Sequence, residues 1–196
     1  MKVLGITGSI GMGKSTVSRM FKQSGVPVWE ADREVKKLYR AGGEAVEPLR
    51  EAFGDDILGP DGIEKEKLKE KILDRHDQKK KLEEIVHPLV RKKMEDFKAQ
   101  CINQKHKLAA LEIPLLLESD LQDKVDYVVV VSAPEEFQEK RVMERKGMTR
   151  EWFQKIKSWQ LSDAEKQQRA DFVIISVGLK QTRLQVKEVI AKIKTA

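Results

Sequence analysis

The 196 residues carry 38 Lys+Arg against 32 Asp+Glu, a formal net charge of +6, with 36% charged, 40% apolar and 6% aromatic residues. That length and apolar share suit one globular domain and exclude wholesale disorder, while no apolar run approaches the ~18–20 residues of a membrane span. The single cysteine, Cys101, excludes an internal disulfide or an all-cysteine zinc site. Residues 1–7 are too short and too soon followed by glycine to read as a secretory signal, so a soluble, cytoplasmic protein is expected. The basic excess fits either a nucleic-acid binder or a protein that handles phosphorylated small molecules.

In chain order, residues 2–7 read as a short strand through Val3, Leu4 and Ile6. They run into Gly8-Ser9-Ile10-Gly11-Met12-Gly13-Lys14-Ser15-Thr16, after which Val17, Met20 and Phe21 recur at helical spacing and Gly25 stops the helix. Residues 26–29 form a second strand, and strand, glycine-rich turn, helix, strand is the start of an α/β unit with a parallel sheet. From about 31 to 104 charge is dense and the period helical; Leu82, Ile85, Val86, Leu89 and Phe97 share one face. Pro88 interrupts that face and biases His87 away from helix, which predicts two helices meeting there or one kinked helix. Gly42-Gly43 and residues 54–62 read as turns. Strand signals return at 107–113 and 125–131, the second apolar enough to be buried on both faces. A helix is expected from Pro134 to about 146, polar helices at 149–160 and 163–168, a last strand at 172–175, and a closing amphipathic helix through Val186, Val189, Ile190 and Ile193.

Gly8-x-x-x-x-Gly13-Lys14-Ser15 matches the phosphate-binding loop pattern in full, with a strand before it and a helix after it. Glycines let backbone N–H groups turn toward an anion without Cβ clashes, and the following helix points its positive end at the same place. Lys14 can reach terminal phosphates and the Ser15 hydroxyl can ligate Mg²⁺. Gly8, Gly11, Met12, Gly13, Lys14, Ser15 and Thr16 are therefore the candidate ATP-binding residues. Asn103 is the only asparagine and no Asn-Lys-x-Asp guanine reader is present, so a GTPase is excluded; the length fits a small kinase.

Asp32 follows the second strand, whose end lies at the phosphate edge of a parallel sheet. Position alone leaves two readings open: a carboxylate that takes a proton from, or orients, an attacking hydroxyl, and an N-cap for a helix over 33–39. Arg141 and Arg145, four residues apart on a predicted helix, share a face and can deliver guanidinium groups to a transferring phosphate. A solvated face paired with Glu139 and Glu144 is the plainer alternative.

These pieces, together with Ala31-Asp32, His87-Pro88-Leu89, Pro114-Leu115-Leu116-Leu117-Glu118, Gln160 and Ala170-Asp171-Phe172-Val173-Ile174, resemble the dephospho-coenzyme A kinase family, in that family's order, from Gly5 to about Gly178. The resemblance implies ATP-dependent phosphorylation of the ribose 3′-hydroxyl of dephospho-coenzyme A, the last step of coenzyme A biosynthesis. It implies a P-loop three-layer αβα fold with a five-stranded parallel sheet, in one kinase domain over 1–196. The core would take about 1–30, 105–140 and 170–196, an inserted helical substrate domain about 31–104, and a helical lid about 141–168. It favours catalysis over capping for Asp32, with Lys14, Arg141 and Arg145 as its catalytic companions, and adds His87, Pro114, Leu115 and Glu118 as acceptor-pocket residues. Two positions depart from the family pattern: Glu30 replaces a usual Asp, and Ser176 replaces a common Asn, which puts adenine contacts there in question. The expected partners are ATP, Mg²⁺ and dephospho-coenzyme A, with no membrane and no nucleic acid. The enzymatic alternative is a P-loop kinase with another nucleotide acceptor, such as a nucleoside monophosphate. Lys79-Lys80-Lys81 and Arg91-Lys92-Lys93 leave a nucleic-acid-binding module as the non-enzymatic alternative.

Overall fold

The computed structural model describes residues 1–73, 75–119 and 121–195, so the last residue assigned to the predicted core, Ala196, lies outside the described residues. The chain divides into two compact units, residues 1–29 with 100–196, and residues 30–99.

The first unit is built on a five-stranded parallel sheet. Its strands are β1 (Lys2–Thr7), β2 (Val28–Glu30), and then, after the second unit, three more. A short hairpin, β3 (Leu58–Gly59) and β4 (Gly62–Ile63), belongs to the second unit, so the remaining sheet strands are β5 (Leu108–Glu112), β6 (Tyr127–Ser132) and β7 (Phe172–Ile175). The order is β2-β5-β1-β6-β7, with parallel registers such as Ile6 opposite both Glu112 and Val129. β6, flanked on both edges, is buried along Val128, Val129, Val130 and Val131, as its unbroken apolar run predicted. Alternate residues Leu4, Ile6, Val129, Val131 and Ile174 point to one face. They pack with Val17, Met20 and Phe21 of α1 (Lys14–Gln23) and with Val186, Val189, Ile190 and Ile193 of the C-terminal helix, over 179–195. Because the chain leaves β1 toward β2 on one side and later crosses to β6 on the other, its path reverses around β1. The carboxyl ends of parallel strands at such a reversal are where α/β sheets bind ligands.

The second unit contains α2 (Ala31–Leu38), α3 (Val46–Phe53), α4 (Lys65–Ile72) and most of α5 (His76–Asn103). Leu38, Leu49, Phe53, Ile57, Leu68 and Val86 form its separate core, with Leu82, Ile85 and Leu89 packed against it, the face read from the sequence. The β3–β4 hairpin lies where the sequence shows only turn signals. Pro88 sits inside one continuous helix rather than between two. Proline removes one backbone donor and crowds the preceding turn. Pro88 itself is exposed, and Leu82, Ile85 and Val86 before it and Leu89 and Val90 after it all join one core, which holds both halves against the same unit.

The first unit continues with α6 (Glu135–Met143), α7 (Arg150–Ser158), α8 (Asp163–Gln168) and α9 (Leu179–Thr195). Thr149 caps α7 by accepting the Trp152 N–H at 3.2 Å, and Ser162 with Glu165 forms a reciprocal capping box on α8. No described helix is long and apolar enough to cross a membrane.

Candidate active site

The loop between β1 and α1 turns on glycines with positive φ: 147° at Gly8, 77° at Gly11 and 96° at Gly13. A Cβ on Gly8 would run into the Val131 carbonyl oxygen of β6, and one on Gly13 would meet Ser176 Oγ at 2.5 Å. Both positions therefore need glycine for conformation and for close approach. α1 opens at Lys14 with Gly13 as its cap, which offers no side chain to the first-turn amides, and no acid stands in that turn. Its orphan N–H groups and positive end are left to an anion in the loop. Lys14 folds back so that Nζ donates to the Gly8 carbonyl at 2.6 Å and the Ser9 carbonyl at 3.1 Å. Ser15 is exposed at the second position of the helix, Thr16 is half-buried, and Met12 is buried.

Arg141, on α6, reaches this loop. Its Nη1 donates to the Gly11 carbonyl at 3.4 Å, its Nη2 to the Ser176 carbonyl at 2.5 Å, and its guanidinium lies 5.9 Å from the Phe137 ring centroid. Arg145 does not share its helix face. α6 ends at Met143, the Arg145 N–H tightens onto the Val142 carbonyl, and Gly147 turns the chain at φ 78°. The expected pair of arginines on one helix is thus corrected to one helical arginine at the loop and one exposed arginine beyond the helix end.

The Pro114 carbonyl accepts from Thr7 Oγ1 at 3.0 Å, and Leu115 is exposed. Glu118 already has partners: Oε1 accepts the Leu161 N–H at 3.1 Å and lies 2.8 Å from Lys166 Nζ, which is fully buried. This buried pair ties α8 to the Pro114–Glu118 region. Lys166→Met leaves the Glu118 carboxylate without its cation and is expected to lower stability by about 3 kcal/mol. Urea unfolding checks this, and adding Glu118→Gln should restore most of the loss, since removing both charges costs far less than removing one.

Asp32 and His87 stand in the second unit. Asp32 lies inside the first turn of α2, exposed, and Glu30 occupies the cap position, so the N-cap reading of Asp32 is corrected. β2 runs directly into α2, which leaves no linker in which Asp32 could cap. His87 is exposed on α5, beside a shallow depression with Lys80, Glu83, Pro88 and Arg91.

Three features went unread in the sequence. Gln138 is buried and donates Nε2 to the Ile10 carbonyl at 2.8 Å. Gln160, which matched the family without a role, accepts the Ile10 N–H at 3.2 Å. Ser132 donates its hydroxyl to Asp163 at 2.6 Å, and Gln167 donates to the same Asp163 oxygen at 2.6 Å. Nearby, Lys157 lies 2.7 Å from Glu135 and holds that carboxyl below the usual carboxylate range. No periodicity marks the bonds from Gln138, Gln160, Ser132 and Lys157, because each spans a sequence separation far longer than a helical turn.

The sequence model of the dephospho-CoA kinase family matches residues 2–180. The chain belongs to the dephospho-CoA kinase family. A dephospho-CoA kinase of Agrobacterium fabrum is 46% identical, covering 98% of both chains. Among solved structures, a Thermus thermophilus protein superposes with a TM-score of 0.85 at 30% identity, covering 97% of each chain. The dephospho-CoA kinase of Campylobacter jejuni gives 0.66 at 26% identity, covering 98% of this chain and 97% of its own. Within this dephospho-CoA kinase family chain, the phosphate loop, Lys14, Ser15, Arg141 and the Pro114–Glu118 stretch all lie in the first unit, and Asp32 and His87 in the second.

Proposed function

We propose that the chain transfers the γ-phosphoryl group of ATP to the ribose 3′-hydroxyl of dephospho-coenzyme A, releasing ADP and coenzyme A, the final step of coenzyme A synthesis. The observation that supports this most directly is the complete phosphate loop on an uncapped helix N-terminus, in a member of the dephospho-CoA kinase family. Gly8, Gly11, Met12, Gly13, Lys14, Ser15 and Thr16 would bind the ATP phosphates through backbone N–H groups and the Lys14 ammonium. The hydroxyl oxygen attacks the γ-phosphorus as its bond to ADP breaks. Asp32 orients that hydroxyl or takes its proton, and Arg141 and Arg145 offset the charge that develops. His87, Pro114, Leu115 and Glu118 would serve the acceptor. For Glu118 the role is indirect, since it already holds Lys166 and the Leu161 amide.

Mg²⁺ fits the donor set. No cluster of three or more His, Cys, Asp or Glu side chains suited to a metal occurs among the described residues. Mg²⁺ needs none, because it keeps several waters and leans on substrate phosphates with one or two protein oxygens. The exposed Ser15 hydroxyl would supply one, and Glu112, at the carboxyl end of β5, stands at the same edge of the sheet as the loop. When bound, the ion would neutralise phosphate charge. In this reading residues 31–104 bind the acceptor and 141–168 act as the lid. Motion would concentrate in 144–159, because Gln160 is tied to Ile10, and Leu161 and Lys166 to Glu118. A cytoplasmic setting accords with the lone, buried Cys101.

One assay tests the acceptor. ATP-Mg²⁺ is offered with dephospho-coenzyme A or with nucleoside monophosphates, and ADP is measured. Turnover only with dephospho-coenzyme A is expected; turnover with a monophosphate instead would overturn the acceptor while leaving the kinase reading intact.

A further inference from the structure

We propose that Gln138 and Gln160 are positioning residues that fix the two peptide planes on either side of Ile10, and so set which loop groups face the phosphates. This rests on the reading of the loop as a nucleotide-phosphate site.

A trans peptide is planar, with its N–H and C=O pointing in opposite directions, and no cis peptide occurs among the described residues. In the Ser9–Ile10 peptide the N–H is held by Gln160 Oε1 at 3.2 Å. Its carbonyl therefore faces the other way, where Lys14 Nζ donates to it at 3.1 Å. The side opposite Gln160 is thus the side of the phosphate-binding lysine. In the next peptide, Ile10–Gly11, the carbonyl is held by Gln138 Nε2 at 2.8 Å, which aims the Gly11 N–H away from α6. Gly11 has φ 77°, and glycine tolerates both signs of φ, so the Gly11 side of this peptide puts little steric resistance in the way of its rotation. Rotation would exchange a phosphate donor for a carbonyl oxygen. Gln138, buried on α6, opposes that rotation from outside the loop. Gln160 follows the C-terminal end of α7, so its bond joins the 144–160 segment to the loop.

The two glutamines work through opposite ends of the amide. Gln138 must donate, because its partner is a carbonyl; Gln160 must accept, because its partner is an N–H. A carboxylate can replace the second and not the first. ADP binding to the full chain is measured by calorimetry with Mg²⁺, in high salt to screen added charge. Gln138→Met, Gln138→Glu and Gln160→Met are each expected to weaken ADP by roughly tenfold, about one hydrogen bond to a charged group. Gln160→Glu is expected to regain most of the affinity lost in Gln160→Met. In steady-state kinetics the Met variants should raise the KM for ATP more than they lower kcat. Unchanged ADP affinity in Gln160→Met, or equal losses in Gln160→Met and Gln160→Glu, overturns the proposal. If the buried Gln138 variants do not fold, the half-buried Gln160 pair decides it alone. Absence of ADP binding by the unaltered protein would instead overturn the nucleotide reading of the loop.

Discussion

Lys14→Ala is expected to lower kcat/KM for ATP by about 10³-fold or more, since a preorganised donor at a developing charge contributes on that scale. The ammonium sits 2.6 Å from the Gly8 carbonyl and 3.1 Å from the Ser9 carbonyl, so the loop's own backbone places it inside the loop. Little reorganisation is then needed to bring it onto an anion. The substitution should leave the fold in place. α1 is held by Val17, Met20 and Phe21, which are buried against the sheet, and Lys14 contributes nothing to that face. The check is steady-state kinetics beside thermal unfolding. Near-normal turnover in a folded variant would sink the phosphate-loop assignment.

Asp32→Asn is expected to lower kcat by about 10²–10⁴-fold, the range for a general base or hydroxyl-orienting group. ATP affinity should stay within about twofold, because the residue is proposed to act on the acceptor hydroxyl rather than on the phosphate loop. Stability should change little. Asp32 is exposed in the first turn of α2, where loss of a favourable charge–dipole contact costs roughly 0.3–1 kcal/mol. Glu30→Gln provides the comparison, since Glu30 is a carboxylate two residues away that carries no proposed chemistry. If Asp32→Asn turns over at a normal rate, or if Glu30→Gln loses as much, Asp32 is not the acceptor's carboxylate.

Much of the framework was legible because it is encoded locally. The glycine-rich loop needs positive φ at set positions, and those glycines stand where the pattern demands them. β6 announced itself by an unbroken apolar run, and the buried face of α5 by Leu82, Ile85, Val86 and Leu89 at helical spacing. Elsewhere the local pattern left choices that the folded chain resolved, and one expectation gave way. Of the two readings that Pro88 left open, two helices or one, the structure has one, with both halves of α5 on a single core. Arg145 reads as a helical neighbour of Arg141, yet the helix stops at Met143 before a left-handed glycine. For Asp32, of the two readings that position left open, capping is removed, because the strand before it ends directly in the helix and Glu30 takes the cap position.

The site divides along the same line. The sequence alone determined the phosphate loop, Lys14, Ser15 and the family to which they belong, because a loop and a helix N-terminus are built from adjacent residues whose backbone preferences suffice. Only the tertiary structure decided that Glu118 is held by Lys166, that Arg141 binds the Gly11 and Ser176 carbonyls, and that Gln138, on α6, and Gln160, just past α7, grip Ile10 from two sides. Among 38 lysines and arginines, nothing in the order of residues distinguishes the one that is buried beside a carboxylate. Its role follows from desolvation and from distance, and both are set when strands and helices distant in sequence pack together.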